Sequence, residues 1–287
     1  MSVAVVIPVG SVDAALEPQV RRVLGQADVL LDELVLSVNS SDDAVVQAVE
    51  AVVAAVDDQR VRTVDSSTKR GAAHARNVGA ATTTSELIAF CDADDLVHEG
   101  WLKALVDGLD HFDAVSGRTI DVFPHERMAA WYPPATPGDL NRFLGKPYLL
   151  TGNLGVRRAA FEAVRGFDET LTRCEDIAIS WALTDAGYSI GYADGAAIDY
   201  RHRAGIVPMV RQYYLYGRGM SEVLRTFGAP SDSGRSTTGG LRLLTPNGQR
   251  APRHTLAGTL RRAALAAGRV RGLLPWPERA APVAERS

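Results

Sequence analysis

Across its first 120 residues the chain alternates short strand-like runs, the first of them continuously apolar, with longer segments of helical period, and few folds accept that order. Residues 3–9, "VAVVIPV", are apolar at every position and rich in β-branched side chains. That suits a strand buried on both faces. Pro8 sits near its end, where a missing N–H donor costs least. "ELVLSV" (33–38), "VRTV" (61–64), "LIAFC" (87–91) and "DAVSGRTI" (113–120) read as further strands. Between them, "NSSDDAVVQAVEAVVAAV" (39–56) brings Val45, Val49, Val52 and Val56 to one helix face. Ser40 or Ser41 can cap that helix, and Asp42 and Asp43 suit its positive end. Residues 72–83 and 100–110 read as two more helices. Strand alternating with helix predicts an α/β fold, a mostly parallel sheet covered by helices on both faces. Such sheets bind ligands in the loops at the carboxyl ends of their strands.

The later chain is less regular. Residues 123–140, rich in Pro and aromatics, read as a loop. Helices are expected over 159–169, stopped by Gly166, over 175–187 and over 209–228. After Gly228 the texture turns to Ser, Gly, Thr, Pro and Arg, so 229–250 reads as a linker and 255–274 as an amphipathic basic helix. The expected organisation is one domain over 1–228 and a linker with a basic, partly helical tail over 229–287. From Ala229 onward there are ten Arg against three acids, within a chain whose net charge is only −3. The near-neutral total argues against a dedicated nucleic-acid binder. The tail reads first as a solvated segment or a helix packed on the domain, and second as an anchor to an anionic membrane surface. Two cysteines, Cys91 and Cys174, form no disulfide framework and suit a reducing compartment. No basic leader precedes the first strand, and no apolar run reaches the length of a membrane span. These features predict a cytoplasmic protein, with peripheral contact at the inner face of a membrane as the second reading.

The chemistry gathers at "AFCDADDLVHEG" (89–100), where Asp92, Asp94 and Asp95 follow a buried strand. Alternate side chains of an extended chain share a side, so Asp92 and Asp94 can converge. Close carboxylates must share a proton or a cation. Hard oxygen ligands suit Mg²⁺ or Mn²⁺ completed by phosphate oxygens. The competing reading is a solvated turn with helix-capping acids. In "KRGAAHARNVG" (69–79), Gly71 opens a helix where a ligand can approach the backbone, and Gly79 allows close helix–sheet packing. Arg70 and Arg76 can pair with phosphates or with the aspartates. His74 reads as packed or solvent-facing. Glu175 and Asp176 open a helix, where acids are favoured by the dipole alone and can also accept a proton from a substrate hydroxyl. His202, in "YRHR", is either a further ligand or a satisfied histidine near a strand end.

Taken in order, "VVIPV", "NSSDD", "RGAAHARNVG", "FCDADD", "TGNLGVRRAAFEAVRGFDE", "EDIAISWAL" and "QYYLYGRG" resemble the family 2 glycosyltransferases, inverting enzymes of the GT-A fold. The resemblance covers residues 3 to about 228. It implies transfer of a sugar from a UDP-, GDP- or dTDP-linked donor to an acceptor hydroxyl on a glycan, a lipid-linked carrier or a small molecule. It implies Asp92 and Asp94 as holders of Mn²⁺ or Mg²⁺ against the diphosphate, assisted by His202, with Asp176 as catalytic base beside Glu175. Pro8, Val9 and Asn39 would line the nucleoside pocket. Arg70, Gly71, Arg76 and Asn77 would lie on the donor side, and Gly152 and Asn153 at the floor of the sugar pocket. The family often has an acid after the second strand; this chain has Val38 and Asn39 there. "QYYLYGRG" lacks the Gln-x-x-Arg-Trp of processive synthases, which favours transfer of single sugars. Two alternatives stand beside this reading: a phosphatase of the haloacid-dehalogenase type, and a non-catalytic nucleotide-sugar-binding module on the same fold.

Overall fold

The computed structural model describes residues 1–133, 138–171, 173–229 and 255–273. The five expected strands form as β1 (Val3–Val9), β2 (Glu33–Val38), β3 (Val61–Asp65), β4 (Leu87–Cys91) and β6 (Ala114–Val122). Between them run α1 (Leu16–Leu24), α2 (Asp43–Val56), α3 (Ala72–Ala81), the two-residue β5 (Leu96–Val97) and α4 (Trp101–Leu109). A short hairpin, β7 (Asn141–Phe143) with β8 (Lys146–Tyr148), precedes β9 (Asn153–Arg157) and α5 (Arg158–Ala163). The chain continues through α6 (Glu175–Asp185), β10 (Ile190–Arg201), α7 (Ile206–Phe227) and α8 (Leu256–Leu273).

The main sheet runs β3-β2-β1-β4-β9-β6-β10-β5. β1, β2, β3 and β4 are mutually parallel, and β10 is parallel to β6. β9 is inserted antiparallel between β4 and β6, and β5 caps β10 antiparallel. Because strand side chains alternate, Val5 and Ile7 of β1 enter one core with Leu16, Val20, Trp101 and Leu105, while Val6 enters another with Phe90, Leu154 and Phe161. A third cluster, with Tyr148, Trp181, Tyr213, Met220 and Leu265, sits among α6, α7 and α8.

Several local expectations change. The cap of α2 is Asp42, whose carboxylate accepts from the Ala44 N–H at 2.9 Å; Ser40 instead accepts from the Asp42 N–H. The expected 123–140 loop contains a 3-10 segment over Glu126–Trp131. α5 ends earlier than expected, and Gly166 follows with φ +69°, a conformation only glycine adopts cheaply. Nearly all of the expected linker lies outside the described residues. α8 lies directly on α7: a Cβ on Gly268 would come within 1.9 Å of the Tyr214 carbonyl oxygen, and one on Gly217 within 2.0 Å of that of Leu265. Only glycines allow backbones this close. Tyr213 meets Arg261 and Arg218 meets Gly272, so the two helices run in the same direction. Among the described residues no helix is long and apolar enough to cross a membrane.

Candidate active site

β4 delivers Asp92 to the carboxyl edge of the sheet. The strand stops there, and residues 93–95 turn into β5. Asp92 and Asp94 are therefore brought together by a turn rather than by strand alternation. Burial, then the charge of Asp92, raises the Asp94 carboxyl above its ordinary range, which marks their proximity. Asp94 stays 48% exposed, with Arg203 Nη2 3.9 Å away. Asp95 turns inward instead. It accepts from the Arg201 N–H at 3.1 Å through Oδ1, while its buried Oδ2 has no partner among the described residues. Burial, followed by the Asp92 charge, pushes it up to about 8.

α3 is seated by Gly79, whose missing Cβ would lie 2.4 Å from Val6 Cγ1. This close approach is the one the sequence predicted for Gly79. One turn earlier on the helix, Arg76 is buried, its side chain 3% exposed. Its Nη2 lies 2.5 Å from Asp92 Oδ1 and its Nη1 3.1 Å from Glu175 Oε1. The guanidinium also sits 5.7 Å from the centre of the Phe167 ring. One cation thus ties the β4 edge to the first turn of α6. Cys174, preceding that turn, is held in the left-handed region at φ 68°, a strained setting for a side chain with a Cβ. Beside it, Asp176 is pushed up to about 7 by burial and then by the Glu175 charge.

A group of buried phenols that the sequence reading missed lies near these acids. Gln212 on α7 donates to Tyr216 Oη at 2.8 Å and to Tyr200 Oη at 3.3 Å. Burial raises the hydroxyls of Tyr148, Tyr200 and Tyr216; Tyr148 and Tyr216 also feel Asp176, and Tyr200 feels Asp95 and Asp92. The available signal was the spacing of Gln212 and Tyr216, four apart on one helix face.

Of the other expected site residues, some have side chains already partnered within the fold and some lie open. Pro8 and Val9 end β1, and the Val9 carbonyl accepts from the Asn39 N–H at 2.7 Å. The Asn39 side chain does not reach outward. It donates to the Ser66 and Lys69 carbonyls and accepts from the Gly71 N–H, fixing the 66–71 loop. Arg70 and Gly71 are exposed on that loop, Gly71 with φ +141° and open space around its Cα. Asn77 is spent on Phe167 and Glu169, its amide donating to both and accepting from the Phe167 N–H. Gly152 does lie against the site: a Cβ there would meet Asp92 Oδ2 at 2.7 Å. Asn153 is 0% exposed and holds the interior together. It accepts from Trp101 Nε1 at 2.9 Å and donates to the Ala196 and Arg118 carbonyls, so its amide is fully engaged within the fold. His202 stacks on Phe123 and pairs Nε2 with Asp121 at 2.9 Å, with its side chain 7% exposed. In this arrangement His202 is a satisfied histidine near a strand end, the second of the two readings the sequence offered.

Among the described residues no three His, Cys, Asp or Glu side chains are arranged to hold a metal. Asp92 and Asp94 nonetheless fit a hard divalent cation. The negative charge of Asp92 disfavours ionisation of Asp94, a repulsion that a cation between them would relieve, and Arg76 occupies only Asp92 Oδ1. Two protein oxygens with the rest supplied by ligand and water is the arrangement Mg²⁺ and Mn²⁺ accept.

Eight strands in this mixed order, with acids at the β4 edge facing the start of α6, define a GT-A fold. The Glycosyl transferase family 2 profile matches residues 4–165, and the chain belongs to that family. It is 30% identical over 164 residues to a pre-mycofactocin glycosyltransferase of Mycobacterium tuberculosis, covering 52% of this chain and 34% of that protein. It is 28% identical over 188 residues to the succinoglycan biosynthesis protein ExoO of Rhizobium meliloti, covering 59% and 53%. The chain thus spans about a third to a half of the length of these relatives. Among solved structures, a Pyrobaculum calidifontis mannosyltransferase in complex with GDP-Man and Mn²⁺ superposes with a TM-score of 0.63 at 19% identity, covering 79% of this chain and 65% of that one. S. aureus TarS 1-349 in complex with UDP-GlcNAc gives 0.59 at 18% identity, covering 78% and 66%. The family match and the antiparallel β9 beside β4 leave the phosphatase alternative without support.

Proposed function

We propose that this chain transfers a single sugar from a nucleotide-diphosphate sugar to an acceptor hydroxyl, inverting the anomeric centre. The observation that carries the reading is the convergence through Arg76 of Asp92, at the end of β4, with the Glu175–Asp176 start of α6. The two halves of such a reaction need opposite things: one edge must accept a departing diphosphate and the other must accept a proton. Asp92 and Asp94 would hold Mn²⁺ or Mg²⁺, which when bound neutralises charge on a leaving diphosphate. Asp176 serves as the base. Its carboxyl, raised to about 7, is better matched to a hydroxyl's proton than an ordinary carboxylate is. Arg70 and Gly71, exposed on the loop that Asn39 fixes, lie free to meet the donor. Residues 1–228 form the catalytic unit in this reading, with α8 docked on it. The buried free cysteines Cys91 and Cys174 suit a reducing, cytoplasmic setting.

The test is a panel of UDP-, GDP- and dTDP-sugars with Mn²⁺, scored by thermal shift and by donor hydrolysis. A matching donor raises the melting temperature with the logarithm of its saturation. The reading fails if no nucleotide sugar stabilises the protein or is turned over. Binding without any turnover favours the non-catalytic module.

A further inference from the structure

α8 has two apolar sides, and the fold uses only one. Ala257, Ala264, Leu265, Gly268 and Gly272 are buried against the rest of the molecule. At about 100° per residue, Leu256, Leu260, Ala263, Ala267 and Val270 form a second strip on the opposite side. All five are exposed, Leu256 at 75% and Val270 at 62%. Ten large hydrophobic residues are exposed among the described residues; four of them fall on this one helix and a fifth, Val207, on α7. Such clustering marks an interaction surface rather than scattered surface apolarity.

Charge selects the partner. α8 contains Arg261, Arg262, Arg269 and Arg271 and no acid. Arg261 is buried on Tyr213, whereas Arg271 follows the outer strip and Arg262 lies on the flank of the helix between the strip and the buried face, both half-exposed. Of the 31 basic and 34 acidic residues, ten and three follow Gly228, so the first 228 residues carry a net −10 and the remainder +7. An acidic protein partner would suit the arginines but not the leucines, and an apolar partner the reverse. An anionic bilayer surface satisfies both, and it repels the acidic body, so contact is confined to this end. We infer that the outer strip of α8, Leu256, Leu260 and Val270, with Arg262 on the flank of the same helix, docks the protein on an anionic membrane surface. The glycine-tight seat on α7 makes this a rigid face rather than a loose tail. The inference does not depend on the transfer reaction.

The experiment is flotation of the full-length protein with vesicles of phosphatidylcholine alone or mixed with phosphatidylglycerol. The protein should float with the mixed vesicles, less so in high salt, and remain behind with phosphatidylcholine alone. The triple variant Leu256→Ser, Leu260→Ser, Val270→Ser should lose about tenfold or more in partitioning. Its melting temperature should be unchanged, because all three side chains are exposed. If it does not fold, Arg262→Glu alone should lower partitioning about fivefold or more. Equal partitioning of wild type and variants overturns the inference, as does absence of flotation. A concentration-dependent dimer that the triple variant abolishes, with vesicles ignored, also overturns it and gives the strip to a second copy.

Discussion

Arg76 grips Asp92 and Glu175 at once, at 2.5 and 3.1 Å, although the two acids lie on elements far apart in the chain. Removing it leaves two carboxylates facing each other with no cation between them. Arg76→Met should cost about 3 kcal/mol of stability, the usual penalty for breaking a buried ion pair from one side. Arg76→Lys should recover only part, because an ammonium cannot span both acids as a planar fork does. Urea denaturation of both variants, with Glu175→Gln in a double-mutant cycle, measures the coupling; additive losses would contradict the bridge.

Asp176 sets a pH dependence whose sign is fixed. Its carboxyl rises from an ordinary 3.8 to about 7 in the fold, so between those values the native state binds a proton that the unfolded chain has lost. Stability from this group therefore falls as pH rises from about 4 through about 7. Turnover should do the reverse, climbing as the base ionises near pH 7. Asp176→Asn should flatten that part of the melting-temperature profile and lower kcat by about 10²–10⁴-fold. Matching profiles for wild type and variant would exclude the raised carboxyl.

Gly152 touches the other oxygen of Asp92. In Gly152→Ala the new methyl would lie 2.7 Å from Oδ2 and displace the carboxylate. Thermal shift by Mn²⁺ with a nucleotide diphosphate should weaken by about tenfold in apparent affinity, as for a damaged metal ligand shell. Chelation by EDTA should abolish the same shift in the wild type. Unchanged binding in the alanine variant would separate Asp92 from the cation.

Asn153 is expected to matter for folding rather than for substrate. Asn153→Ala leaves Trp101 Nε1 and the Ala196 and Arg118 carbonyls without their partner in the interior. The loss should be about 2–4 kcal/mol by chemical denaturation. The KM for donor should stay near wild type in whatever fraction folds. A large KM change at full stability would return Asn153 to the pocket.

The parallel half of the sheet was legible because β1 and β4 are continuous apolar runs and β2 nearly so, and burial on both faces demands that composition; the edge strand β3, half-exposed, shows instead β-branched residues mixed with polar ones. Gly79 was legible for a similar local reason. β9 and β10 were not. "NLGVR" has Gly155 at its centre, and β10 shifts register between Ala193 and Ala197, so neither shows a clean period. Their strand character comes from neighbours supplied elsewhere in the chain. α1 was missed although Pro18 sits in its first turn, where proline is tolerated. In the site, the aspartates announced themselves by charge density. Asn39, Asn77 and Asn153 did not disclose their roles. Their partners include main-chain groups from 27 to 90 positions away, and a buried amide looks the same in sequence whether it faces a ligand or another loop.

The glycine-lined seat between α7 and α8 also carries a message about biosynthesis. α7 leaves the ribosome well before α8, and until the later helix arrives Gly217, Tyr213 and Met220 have no cover on that side. During synthesis α7 therefore carries an open apolar furrow that only the later helix can close, so the last segment to emerge completes the packing of an earlier one.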